Sequence, residues 1–317
     1  MTLASSQTLT SGQSSGLDSA RATLDRPEQF LVLMIVAIGV TSVVLSLLKD
    51  QAVAWNAFGL SFLPAFGLLL VGLYLRGPKA APRLSHWAIA NSIYLGFSGV
   101  IAILIYLRFP IETPLIDDQL AVLDAWLGFD WGSFVAWMAQ YPTFGSLLAP
   151  VYLSSLPQLF VLVGILAMTA QAARLNQALL AGTLSLVMTV AFWWVFPSIG
   201  PSAFVEIPAE TAKSIGLFHD ARMGAKLIGL AEHGTPLIHP GDIMGTIAFP
   251  SYHTVMMLVV LWYLRGMWMF WPALALNALM VPAILSHGGH YMVDVIGGFA
   301  AFAIAAWIAA RIVPEKA

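Results

Sequence analysis

The sequence predicts an all-α protein, a polytopic bundle of about six to eight transmembrane helices. Of its 317 residues 59% are hydrophobic and only 9% are charged, and the mean hydropathy is +0.83. Soluble domains carry roughly a quarter charged residues, so this composition cannot cover itself with a polar surface in water. The apolar stretches approach the ~17–25 residues that a membrane span needs. They are uniformly apolar rather than alternating, which selects helices over a lipid-facing barrel. A net charge of −2 excludes a nucleic-acid surface on bulk electrostatics. The absence of cysteine removes disulfides, a thiolate nucleophile and cysteine-ligated metal.

Taken in order, residues 1–29 are rich in Ser, Thr, Gly and Ala and lack an apolar period, which predicts a disordered tail. They also lack the apolar core of a cleaved signal peptide, so the first span is expected to remain as an anchor. Residues 30–317 are read as one transmembrane domain, with spans expected near 30–48, 57–75, 87–107, 146–170, 178–197, 251–269, 271–287 and 290–311. Pro150 and Pro157 are expected to kink the fourth of these. With the N-terminus inside, Arg76, Lys79, Arg83, Arg174 and Arg265 fall in inner loops, and Arg21, Arg26, Arg311 and Lys316 on the inner termini. That distribution obeys the positive-inside rule and predicts an N-in, C-in protein of a bacterial inner membrane or its equivalent. Trp193, Trp194 and Tyr141 fit an interfacial aromatic belt.

Two outer segments are polar. Residues 108–132 carry Glu112, Asp117, Asp118, Asp124 and Asp130 among leucines, which predicts an amphipathic helix lying on the outer surface. Residues 198–249 contain Lys213, His219, Asp220, Arg222, Lys226, Glu232, His233, His239 and Asp242, broken by Pro and Gly. An insert of that length reads as a functional loop or lid, with plain solvation the simpler account of each charge.

Two histidines and a carboxylate then stand beside apolar runs. A helix starting near Gly289 would put His290 and Asp294 one turn apart, so that the carboxylate accepts one ring N–H and the other ring nitrogen stays basic and available. The bland alternative is a helix-end histidine satisfied by its neighbour. Pro250-Ser251-Tyr252-His253 carries helix-start signals, and a helix N-terminus offers free N–H groups to an anion. Both His253 and His290 fall at outer helix ends in the predicted topology. His287, His290, Asp294 and His253 are also of the right type for zinc. The Gly288-Gly289 pair argues against a shared helical face, and neither a metal nor a cofactor is expected.

The string Phe249-Pro250-Ser251-Tyr252-His253, followed by Gly288-Gly289-His290-Tyr291-Met292-Val293-Asp294, resembles the second and third signatures of the type 2 phosphatidic acid phosphatase superfamily. It looks most like the membrane branch containing the aureobasidin-sensitive inositol phosphorylceramide synthases. The resemblance covers about 145–311 and implies that family's helical core. It implies His290 as a nucleophile on phosphorus, Asp294 as its orienting partner and His253 as acid and base. Ser251, Tyr252 and Gly289 would border the phosphate. The first family signature, Lys-x6-Arg-Pro, is missing, and Ile284 stands where the third signature has an arginine. Charge compensation would then fall to Lys213, Arg222 or Lys226. These departures favour transfer of a phosphoryl or phosphoalcohol group on a phospholipid or sphingolipid over hydrolysis by a lipid phosphate phosphatase. A proton-coupled transporter is the rival from another class; it would need ionisable residues deep in several spans, whereas here they cluster at helix ends.

Overall fold

A computed structural model describes residues 23–77 and 80–314. The first 22 residues of the tail expected over 1–29, and Arg21, Lys79 and Lys316 of the charge pattern, lie outside them, whereas residues 26–29 of that expected tail are helical. Three helices open the described chain: α1 (Arg26–Leu48), α2 (Trp55–Arg76) and α3 (Pro82–Tyr106). Short helices α4 (Asp117–Trp126) and α5 (Trp131–Met138) lead into α6 (Pro142–Leu153), α7 (Ser155–Met168) and α8 (Ala172–Val195). The long loop holds α9 (Ala209–Ile215) and α10 (Ala221–His233). After it come α11 (Tyr252–Leu264), α12 (Phe270–Ala278), α13 (Met280–Ser286) and α14 (Met292–Ile312).

Among the described residues α1, α2, α3, α8 and α14 are long and apolar enough to cross a membrane, and α6 with α7, bent by 51°, is a broken span or a re-entrant loop that brings the number to six if it is one span. The bend follows from Pro157, which has no N–H to give the carbonyl of Leu153, the last residue of α6. Pro282 likewise has no N–H for Ala278, where α12 ends. The expected spans at 251–269 and 271–287 are therefore a 13-residue helix and a broken pair.

α1 begins at Arg26, four residues before the expected span. Glu28 folds back to accept the Asp25 N–H at 2.8 Å and takes both guanidinium nitrogens of Arg76, at 2.6 and 2.9 Å. That ties the start of α1 to the end of α2. α1 and α2 leave most of their apolar surface outward, whereas α3 is largely buried between them and α7 and α8.

The core gathers α3, α7, α8, α11 and α14. Arg174 at the start of α8 donates to the carbonyl of Arg265 after α11 (3.0 Å), and Gln177 donates to that of Val313 after α14 (2.6 Å). At the other end the Ser251 N–H donates to the Asp294 carbonyl (3.0 Å). Hence Arg174, Arg265 and Arg311 gather at one end of the bundle, and His253 and His290 stand at the other.

Two expectations give way. Trp193 is fully buried, its indole N–H donating to the Ser198 carbonyl (2.9 Å), so it is a core residue and not part of a belt. α4 is amphipathic but inverted: Asp117, Leu120 and Asp124 face inward, while Val122, Trp126 and Leu127 are exposed. The carboxylates turn in because backbone N–H groups wait for them there.

Candidate active site

His287 to Tyr291 form a turn, and α14 starts only at Met292, later than the start near Gly289 that the spacing suggested. Asp294 is the third residue of the helix. Its Oδ2 accepts the Tyr291 N–H (2.9 Å) and lies 2.9 Å from His290 Nδ1. A carboxylate only accepts, so Nδ1 is the donor of this pair and Nε2 is left for another partner. Nε2 lies 3.4 Å from Ser251 Oγ. The free N–H groups at the head of α14 are met from far away in the chain: Met292 and Val293 donate to Asp124 at 2.8 and 2.9 Å. A carboxylate at a helix N-terminus is favoured both as a cap and by the dipole.

Ser251 caps α11 through the Thr254 N–H (3.4 Å) and so fixes His253 in the first turn. The His253 ring stacks on Tyr152 at 4.3 Å and its centroid is 6.0 Å from that of His290. α11 approaches α14 closely because Gly298 has no side chain; a Cβ there would lie 2.5 Å from the Ser251 carbonyl oxygen.

His219 completes the cluster from the long loop. It is buried, with Nδ1 3.4 Å from Ser202 Oγ. Its ring occupies the space beside Gly289, whose φ of +58° and lack of Cβ the turn requires. Burial, and then the nearby His290, push the His219 pKa down to about 3, so it works as a neutral imidazole. Asp117 supports the same turn indirectly: it accepts the N–H groups of Ile199 and Gly200, the latter at 2.8 Å. Gly200, at φ +93°, packs on the Gly289 carbonyl. Burial raises the Asp117 pKa to about 6 despite those donors.

The structure therefore brings His253, His290, Asp294, Ser251 and Gly289 together. Tyr252 points the other way, its hydroxyl donating to the Gly182 carbonyl (3.2 Å) inside an apolar chamber. Lys213 on α9 and Arg222 and Lys226 on α10 are exposed, with Arg222 turned to Asp220 (3.1 Å). His287 is turned to the Gly145 carbonyl (2.9 Å) and not to His290. His219, Asp117 and Asp124 were missed as site residues. The seven-residue offset of the two acids, which puts them on one helix face, was the signal available for them. His219 had none that set it apart from its polar neighbours.

A histidine held by a carboxylate thus lies beside a second histidine that lines an apolar chamber in a helical bundle. The chain belongs to the PAP2 superfamily, whose family model matches residues 118–308, more than half of its length. Members carry out phosphatase or phosphotransferase chemistry on lipid phosphates. The match begins at α4, leaving α1 to α3 outside it. No curated protein and no solved structure matches the chain.

Proposed function

We propose that this enzyme transfers a phosphoryl or phosphoalcohol headgroup between lipids through a phosphohistidine on His290, as in the branch resembling inositol phosphorylceramide synthases. The observation that carries the reading is the His290–Asp294 contact, which engages Nδ1 and leaves Nε2 facing Ser251. Nε2 attacks phosphorus, and the bond from phosphorus to the leaving alcohol oxygen breaks as His253, protonated once the anionic phosphate lies beside it, gives that oxygen its proton. Asp294 stabilises the charge left on the imidazole. In the second half, His253 takes the proton of the acceptor hydroxyl, whose oxygen attacks phosphorus and releases His290. The Ser251 hydroxyl and the N–H groups around it hold the phosphoryl oxygens, and neutral His219 beside Gly289 offers a further donor. Exposed Lys213, Arg222 and Lys226 draw the anionic headgroup to the rim. Under the positive-inside rule, the gathering of arginines at the far end of the bundle supports a site facing the extracytoplasmic side.

The test uses purified protein in detergent with phosphatidic acid or phosphatidylinositol, each with and without ceramide or diacylglycerol. Free phosphate and lipid masses are followed for the parent and for His290→Ala. A new phosphoalcohol lipid, absent with the variant, is expected. Free phosphate from the monoester alone, lost in the variant, would replace transfer by hydrolysis.

A further inference from the structure

Below His219 and His253 lies a cavity of about 460 Å³, within the usual range for a ligand pocket. Each of the helices around it contributes one face. The face from α3 is Tyr94, Phe97, Ser98, Ile101, Ala102 and Ile105, a repeat of three and four residues that makes a single stripe along the helix. The stripe runs about 16 Å at 1.5 Å per residue. Its upper end is fixed at the catalytic level, because the neighbouring Tyr106 hydroxyl donates to the Asp242 carbonyl and accepts the Met244 N–H in the long loop. Its lower end is closed by Tyr94, packed edge-on against Phe160 at 4.8 Å. Small residues keep the middle open: Ser98 and Ala102 on α3, and Gly182 on α8. Ser98, in the middle of an otherwise buried helix, is exposed because it faces this space.

α3 lies outside the family match, yet it supplies a wall of the chamber that is lined at its other end by His219 and His253, the latter 6.0 Å from His290 between ring centroids. We infer that the N-terminal helices are more than an anchor: α3 forms the wall of a hydrocarbon-tail chamber, and its stripe sets the length of the lipid chain the enzyme accepts. The occupant is one chain of the substrate whose phosphate sits at His253 and His290, so the inference rests on the proposed lipid-phosphate chemistry. Continuity with the histidines and the nearly continuous apolar lining select a hydrocarbon chain over a polar or charged ligand. Ala102 sets the width at mid-depth and Tyr94 sets the floor.

Two substitutions should move selectivity in opposite directions. Phosphatidic acids of graded chain length are mixed and offered to the full protein, and products are resolved by mass. Ala102→Phe should lower the ratio of long-chain to short-chain turnover about tenfold, the equivalent of roughly two methylenes denied burial. Tyr94→Ala should shift the preference to longer chains. Leu33→Phe, on the outward face of α1, is the control and should match the parent. An unchanged chain preference in both α3 variants, or the same shift from Leu33→Phe, would overturn the inference. In parallel, phosphatidic acid with a diazirine at the chain end is photolysed on the parent protein. Label within residues 94–102 is expected, and label confined to the outward faces of α1 and α2 would overturn the chamber whatever the activity. A parent that turns over no lipid phosphate but labels on α3 would count against the proposed reaction and for the chamber.

Discussion

Both ends of the bundle bury carboxylates, and they satisfy them differently. At the arginine end Glu28 is 2% exposed and bound by both nitrogens of the Arg76 guanidinium, which also donates to Ser85. At the histidine end Asp117, Asp124 and Asp294 are equally buried, but they take backbone N–H groups and one imidazole. A carboxylate matched by a guanidinium is closed: its charge is cancelled and its oxygens are occupied. One matched by backbone amides and a histidine holds that ring by one nitrogen and leaves the other nitrogen uncovered. The first arrangement fastens helices, and the second is the one on which the proposed chemistry depends.

The contrast is tested most severely at Asp294. Asp294→Asn should lower turnover roughly 10³–10⁴-fold by releasing the tautomer of His290, while the protein still purifies with a parent-like melting transition. Parent-like activity would mean that the carboxylate is a structural cap. Next, Asp124→Ala strips two N–H groups at the head of α14 of their acceptor and should cost about 2–4 kcal/mol in thermal or denaturant unfolding, with activity falling as the turn loosens. At the opposite end Glu28→Gln should cost about 1–2 kcal/mol, since Arg76 is 14% exposed and keeps other partners. Its turnover should stay within about twofold of the parent, the modest effect expected away from a functional site. A large loss of turnover there would erase the distinction between the ends.

The smallest effect concerns pH. His219 has its folded pKa lowered to about 3 from an ordinary 6.5, so between those values the unfolded chain binds the extra proton and stability rises with pH. Asp117, raised from 3.8 to about 6, has the opposite sign: the folded state holds the proton, and stability falls as pH rises through that window. The slope of melting temperature against pH from 5 to 6.5 should therefore be less positive in His219→Gln than in the parent. Equal slopes would remove His219 from the buried cluster.

Much of this was legible in the sequence. Apolar runs gave the helical membrane fold, and His253, His290 and Asp294 stood out because ionisable groups are rare beside such runs. The break after Leu153 was legible too, since Pro157 removes a hydrogen bond whatever packs around it. The inward turn of α4 was harder to see. Of its leucines only Leu120 is buried, and the acids find partners at Gly200 and Met292 that no local window contains. The loop cations stood out as phosphate ligands by charge alone, and charge does not say whether a side chain turns inward.

The bond between Asp124 and Met292 joins residues 168 positions apart, and α14 follows every other described helix in the chain. During synthesis the proposed nucleophile, its carboxylate and the glycines that let α11 close on α14 all emerge after the chamber, α4 and His253 have been made. On the proposed chemistry a nascent chain therefore has no nucleophile until α14 is made, and the same segment brings the N–H groups that Asp124 accepts.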